Sequence, residues 1–121
     1  GLAPNSPTRA TPIYGETNAF WEITLADSPQ GVAAAARQCA QETIQQAGTQ
    51  ISKLSTTDAA FAPLKVLLEL AQSELNKGLT QEDAAKSATG NEEVYERARA
   101  TRSFTRAQVR ALQVCKALDP C

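Results

Sequence analysis

The sequence contains no histidine and no methionine, and it has one tryptophan, two tyrosines and three phenylalanines among 121 residues. Without histidine, the chain lacks the usual general base near neutral pH, the Ser–His and Cys–His nucleophile pairs and imidazole metal ligands. Its six glycines are scattered, and none stands in a GxGxxG or GxxxxGK[ST] phosphate-binding pattern. We therefore expect no catalytic residues, no metal site, no cofactor and no enzymatic activity.

Neither a charge excess nor a long apolar run is present. The formal net charge is −1, so no overall electrostatic attraction draws the chain to nucleic acid or to an anionic membrane. The longest apolar stretch, residues 63–71, contains Lys65 and Glu69 and is far shorter than the ~20 residues that span a bilayer. We expect one globular domain with no nucleic-acid partner and no membrane span.

Carboxylates are the remaining acid–base groups, and they cluster in two pairs, Glu82 with Asp83 and Glu92 with Glu93. Both pairs fall where a helix is predicted to begin, which is a favourable position for negative charge. A catalytic dyad needs carboxylates that converge from separate segments in a pocket. We interpret both pairs as structural.

The N-terminal region differs in composition from the rest of the chain. Residues 1–16 are interrupted by Pro4, Pro7, Pro12 and Gly15. Because proline fixes φ and biases the preceding residue towards extended backbone, we predict an extended Pro-rich arm.

The next segment, residues 17–26, alternates apolar and polar residues as a strand does. Thr17 is also a candidate helix cap, and we prefer a short helix. The predicted organisation is an arm over residues 1–16 and a single helical-bundle domain over residues 17–121.

Apolar residues that recur with helical periodicity predict three long helices, near residues 29–54, 57–77 and 91–118. Ser28 followed by Pro29 is typical of an N-cap and a first helical position. The predicted fold is therefore all-α. It is a small up-and-down helical bundle of three long helices plus one or two short ones, with a Pro-rich extended N-terminal arm.

Capping residues predict the boundaries of the second helix. Thr56 or Thr57 is a candidate N-cap, and Pro63 either kinks the first turns or marks the start of the regular part. Gly78 fits the left-handed position that follows a helix end. Residues 79–91 are then predicted to form a separate, weaker helix.

Four arginines recur at steps of three, four and four on the last helix, opposite its apolar face. This arginine row consists of Arg99, Arg102, Arg106 and Arg110. The simplest interpretation is a solvated face that pairs with nearby acids. The functional alternatives are contact with an acidic protein, an anionic membrane or nucleic acid. Because arginine is enriched at protein interfaces, we favour a protein with an acidic surface. Arg97 falls on the apolar side, where its stem is expected to be partly buried.

The three cysteines do not suit a zinc site, which needs about four ligands, and they form no CxxC motif. A disulfide in an oxidising compartment explains a cysteine at position 121 better than a reactive free thiol does. Cys115 is a possible partner for Cys121, and Cys39 for either of the other two. We predict a Cys39–Cys121 bond, with a dimer through the odd cysteine as a further possibility.

The function most consistent with this pattern is that of a small exported non-enzymatic protein that binds another protein, as an inhibitor, immunity factor, adaptor or accessory subunit. We interpret Gly1 as the product of signal-peptide removal and expect a periplasmic, extracellular or otherwise oxidising location. The alternative is a carrier of an apolar small ligand held between helices. A ligand-sized pocket inside the bundle favours the carrier, and a filled core with an exposed patch favours the binder.

Overall fold

The structure, a computed structural model, describes residues 28–118. This part of the chain forms three α-helices and no strand: α1 (Pro29–Ser52), α2 (Phe61–Lys86) and α3 (Gly90–Leu118). The prediction of an all-α protein with three long helices is confirmed. The predicted arm, the segment over residues 17–26 and the domain boundary between them lie outside the described residues.

Contacts divide the chain between Val32 and Ala33 into two compact units, Gly1–Val32 and Ala33–Cys121. Within the first unit, the described residues form the N-terminal cap of α1. The backbone N–H of Gly31 donates to Ser28 Oγ at 3.0 Å, and that of Val32 donates to the Ser28 carbonyl at 2.8 Å. The predicted N-cap at Ser28 is confirmed, because its side chain accepts a bond that the helix itself does not supply.

In the second unit, α1 and α2 pack as antiparallel neighbours. Arg37, early in α1, forms an ion pair with Glu82, late in α2. Gly48, late in α1, faces Leu68 in the first half of α2, because a Cβ at Gly48 would lie 3.8 Å from Leu68 Cδ2. Residues later in α1 therefore contact residues earlier in α2, as in an antiparallel pair.

The α2–α3 pair is antiparallel as well. Gly78 lies directly against the ring of Phe104, and Ser103 Oγ donates a 2.7 Å hydrogen bond to Gln81 Oε1. A step forward along α2 thus corresponds to a step back along α3. The predicted up-and-down arrangement of the three long helices is confirmed.

Two apolar clusters hold these helices together. The aliphatic cluster has the buried residues Ala47, Ile51, Leu64, Ala71, Ala111, Val114 and Cys115, with Leu54, Phe61, Leu67, Leu68 and Leu118 packed against them. The small-residue cluster has the buried residues Ala40, Leu75, Ala100, Phe104 and Ala107, with Ala36 and Leu79 packed against them. Ile44 contacts both clusters, so one continuous core runs along the helices.

The prediction that the second helix ends at Gly78 is wrong, because α2 continues to Lys86. A Cβ at Gly78 would lie 2.5 Å from the ring of Phe104, so this glycine allows close helix packing and does not serve as a cap. The separate weak helix predicted over residues 79–91 does not form. Its first part completes α2, and Gly90, with φ +62°, lies at the turn into α3.

The predicted N-cap at Thr56 or Thr57 is also wrong, since α2 begins at Phe61. The residues before it form hydrogen-bonded turns, in which the Asp58 carboxylate accepts the N–H of Ala60 at 2.8 Å. Pro63 lies in the first turn of α2. Backbone N–H groups in the first turn have no acceptor within the helix, so the N–H that proline lacks costs no hydrogen bond there. The proline thus marks the start of the regular helix.

Candidate functional site

The arginine row lies along the solvent side of α3. Arg99, Arg102 and Arg106 are exposed, and Arg110 is half-buried. The opposite side of α3 contributes these fully buried residues to the core: Ala100, Phe104, Ala107, Ala111 and Val114. One helix therefore separates a closely packed apolar face from a cationic face.

Local acids compensate only the first arginine of the row. Arg99 Nη1 lies 3.4 Å from Glu96 Oε1, and its guanidinium carbon lies 5.5 Å from the centroid of the Tyr95 ring. Within residues 28–118, Arg102, Arg106 and Arg110 make no ion pair and no side-chain hydrogen bond. The arginine row thus presents three uncompensated positive charges.

A neighbouring helix adds a fourth cation, Lys77, whose Nζ lies 3.7 Å from Glu74 Oε1. A surface hollow of about 170 Å³ is lined by Lys77, Gln81, Arg99, Arg102, Ser103 and Arg106. The buried Ser103 donates its hydroxyl to Gln81, which fixes the register of α2 and α3 at this hollow. We call it the cationic hollow. Lys77 could not be identified from the sequence, because the pattern of one helix does not show which side chains of another helix lie beside it.

A second surface hollow adjoins the first. It has a volume of about 470 Å³ and is lined by Glu74, Thr105, Arg106, Val109 and Arg110. Because Arg106 lines both hollows, they form one continuous depression along the α2–α3 boundary. Val109 is 49% exposed, so this second hollow is more apolar than the cationic hollow.

Glu74 is the one acid that lines these two hollows. Its Oε1 is buried and accepts no hydrogen bond, although Lys77 Nζ lies 3.7 Å away. A buried oxygen without a donor loses its solvation and gains little in return. The depression therefore contains an unused acceptor between its apolar and cationic parts.

Arg97 is not part of this surface. Arg97 is only 7% exposed, as expected from its position on the apolar side of α3. Nη2 lies 3.3 Å from Glu93 Oε2, while Nε is buried without a hydrogen-bond partner. The predicted burial of Arg97 is confirmed.

The two carboxylate pairs have different surroundings. Glu92 and Glu93 lie in the first turn of α3, as predicted. Glu82 does not begin a helix, because α2 runs through it. Its carboxylate is buried and lies 2.6 Å from Arg37 Nη1, so it links α2 to α1. Sequence spacing gives no signal for a pair 45 residues apart.

The predicted Cys39–Cys121 bond is contradicted by the structure, in which Cys39 is exposed and its thiol is free. Cys39 immediately precedes the fully buried Ala40, and one residue rotates a helix by about 100°, so its side chain turns away from the core. Cys115 is buried in the aliphatic cluster. Cys121 lies outside the described residues.

Two further features of the described residues concern metal ions and membranes. No group of three or more His, Cys, Asp or Glu side chains is placed to hold a metal ion there. None of the helices found between residues 28 and 118 has the length and apolar character needed to cross a bilayer. Comparison with known proteins finds no matching family model, no matching curated protein and no matching solved structure.

Proposed function

We propose that this chain is a small, exported, non-enzymatic protein that binds an acidic surface of another protein through the arginine row. The observation that carries the proposal is the set of three guanidinium groups without local partners, at Arg102, Arg106 and Arg110. The chain has 13 acidic and 12 basic side chains, so enough acids exist to neutralise the row. No described acid pairs with Arg102, Arg106 or Arg110, and these three positive charges favour association with an acidic partner.

The mixture of side chains favours a protein over a nucleic acid as the partner. The exposed Val109 lies between Arg106 and Arg110 in the same hollow. Protein interfaces combine arginine with apolar contacts, whereas a phosphate backbone gains nothing from an apolar neighbour. In the part of the chain that the structure describes, Tyr95 is an exposed aromatic side chain beside Arg99 at one end of the row, whereas single-stranded bases stack on successive aromatic side chains along a groove.

Differential capture tests this proposal. Wild-type protein and the Arg102→Gln/Arg106→Gln variant are immobilised and exposed to extract from the native source at low and high salt. The control is Lys65→Gln/Lys116→Gln, which removes the same charge from exposed positions outside the row. We expect a protein that is retained by the wild type and the control but lost with the row variant, more strongly at low salt.

Two results would overturn the proposal. One is equal retention of every captured protein by the wild type and the row variant at all salt concentrations. The other is row-dependent binding of a duplex oligonucleotide in place of any protein, because the arginines would then recognise phosphates.

The exported location rests on the cysteines. Cys115 is disulfide-bonded, whereas the thiol of Cys39 is free. With three cysteines in the chain, Cys121 is the partner that we propose for Cys115, and such bonds persist in oxidising compartments. The exposed Cys39 is then the residue through which a covalent dimer would form.

Alkylation of the denatured protein without reductant, followed by peptide mapping, tests this assignment. We expect label on Cys39 alone and a mass that corresponds to one intact bond. The Cys39→Ser variant should carry no label and form no dimer on a non-reducing gel. Labelling of all three cysteines in freshly isolated native protein would contradict both the bond and the exported location.

The alternative of a carrier for an apolar ligand has less support. Where the helices face each other, side chains are small and in direct contact, as at Gly78 and Phe104. The hollows lined by described residues open to solvent, and polar or charged side chains make up most of their lining. A ligand carrier needs an apolar enclosure instead.

A further inference from the structure

The side chains that line the depression between α2 and α3 have the charge pattern of a site for one particular kind of partner segment. We propose that it binds an amphipathic, acidic α-helix, an inference that rests on the proposed function and specifies the partner. We call this surface the α2–α3 groove. The residues that line its two hollows include Glu74, Lys77 and Gln81 on α2, and Arg99, Arg102, Arg106, Val109 and Arg110 on α3. We extend the groove along the same stripe of α2 to Leu70 and Val66, which stand four and eight residues before Glu74.

The α2–α3 groove lies on the flank of α2 that faces away from α1. Glu82 and Leu68 mark the flank that contacts α1, and Gly78 marks the line of contact with α3. At 100° per residue, Lys77 and Leu70 fall on the other side of Gly78 from Glu82. Among the described residues, α1 thus covers one side of the α2–α3 pair, and no helix covers the other.

The character of the groove changes along its length. At one end, Val66 is 53% exposed, Leu70 is 43% exposed and Val109 is 49% exposed. Towards the other end, Lys77 faces the arginine row across the cationic hollow. A partner that matches this surface has apolar side chains at one end of its contact face and carboxylates at the other.

Glu74 lies between these two parts and adds a further requirement. Its buried Oε1 lacks a hydrogen-bond donor, and its negative charge repels a carboxylate placed directly above it. The partner is therefore expected to place a neutral donor, such as an amide or hydroxyl side chain, in the middle of its contact face. Pairing that oxygen recovers part of its desolvation cost.

A helix suits the groove better than an extended segment does. An extended peptide gains affinity by adding to a sheet edge, and the groove is built from two helices whose backbone groups are already paired within them. A helical partner satisfies its own backbone and presents side chains alone. From residue 66 to residue 81, α2 extends about 22 Å, so the partner helix needs about 15 residues.

Designed peptides test the proposal without knowledge of the native partner. The first probe is a peptide of about 16 residues whose contact face carries leucines in its first turns, glutamine in the middle and glutamates in its last turns. The second has the same composition, but it is permuted so that no face collects leucines or glutamates. Binding of each labelled peptide to the full chain is measured by fluorescence anisotropy, and amide shifts are mapped by NMR.

Matched variants separate the apolar contribution from the charge contribution. Leu70→Asn removes the apolar contact, with Leu112→Asn as its control, because Leu112 is 41% exposed and lies outside the groove. Lys77→Gln removes a cation, with the exposed Lys65 as the site of the control Lys65→Gln. Thermal melting of every variant confirms that it is folded.

We expect the amphipathic probe to bind at least about tenfold more tightly than the permuted one, with amide shifts confined to the groove. Leu70→Asn and Lys77→Gln should each weaken binding about tenfold, a change of 1.4 kcal/mol, while both controls bind as the wild type does.

Equal binding of both peptides, or a loss with Lys77→Gln but none with Leu70→Asn, would overturn the helix proposal. Either result would still be consistent with an acidic partner that is not a helix, so the proposed function would stand. Failure of both probes to depend on any cation of the groove would overturn the inference and count against the proposed function as well.

Discussion

The two clusters of the core stabilise the same three helices in different ways. In the aliphatic cluster, isoleucine, leucine and valine side chains from all three helices fill the space. In the small-residue cluster, three alanines bring the helices together, and Leu75 and Phe104 are the large buried side chains. A cluster of many large apolar side chains can repack when one of them is truncated. A cluster of small residues packed closely around a large side chain cannot.

Polar side chains reinforce this difference. The partly buried ion pair of Arg37 and Glu82 lies at the level of the small-residue cluster, and so does the hydrogen bond between Ser103 and Gln81. The cationic hollow lies on the outside of the same region, since Ser103 lines it. The small-residue cluster, where the helices pack most closely, thus lies beneath the cationic hollow. This close packing fixes the position of Lys77 on α2 relative to the arginines on α3.

The largest effect is expected from emptying the small-residue cluster. Phe104→Ala should destabilise the protein by about 3–5 kcal/mol, because the surrounding alanines cannot collapse into the cavity. Leu64→Ala in the aliphatic cluster should cost less, about 2–3 kcal/mol, since long neighbouring side chains can move into the space. Urea denaturation of both variants measures the difference, and an equal or smaller loss for Phe104→Ala would contradict the comparison.

The next effect concerns the buried ion pair. Arg37→Ala leaves the Glu82 carboxylate buried without its cation, and we expect a loss of about 2–3 kcal/mol. The value is below that of a fully buried pair because the Arg37 side chain is 36% exposed and water reaches it. Replacing both residues with leucine should recover most of the loss. If the double variant is as unstable as Arg37→Ala, the uncompensated charge is not the cause.

Two glycines give a smaller and oppositely signed pair of effects. Gly78→Ala places a Cβ 2.5 Å from the ring of Phe104, and overpacking should cost about 1–2 kcal/mol despite the better helix propensity of alanine. Gly48→Ala meets only Leu68 at 3.8 Å and should stabilise the protein by up to about 1 kcal/mol. Melting temperatures that move in the same direction for both variants would show that the close approach at Gly78 is not limiting.

The smallest effect on stability is expected from the arginine row. Arg102→Gln/Arg106→Gln should change the free energy of unfolding by less than about 1 kcal/mol, because neither side chain has an ion-pair partner among the described residues. Added salt should reduce even that change, because it screens repulsion along the row. A larger loss in thermal melting would mean that these arginines support the fold and are not free to bind a partner.

Much of the fold follows from local patterns. The N-cap at Ser28 and the course of α1 and α3 were predictable, because capping and apolar periodicity act over a few residues. The burial of Arg97 followed from its angular position alone. The composition of the arginine row, and its position opposite the core, were likewise contained in the spacing of one helix.

Only the tertiary structure determined what joins one helix to another. In the sequence, Gly78 is typical of a helix end. In the structure, it is the position where the ring of Phe104 leaves no room for a side chain, so tertiary packing and not helix termination explains the glycine. The pairing of Glu82 with Arg37, the exposure of Cys39 and the position of Lys77 beside the arginine row have the same origin. Periodicity specifies which face of a helix is buried, but the register between two helices is set by the fit of their side chains, which no single helix contains.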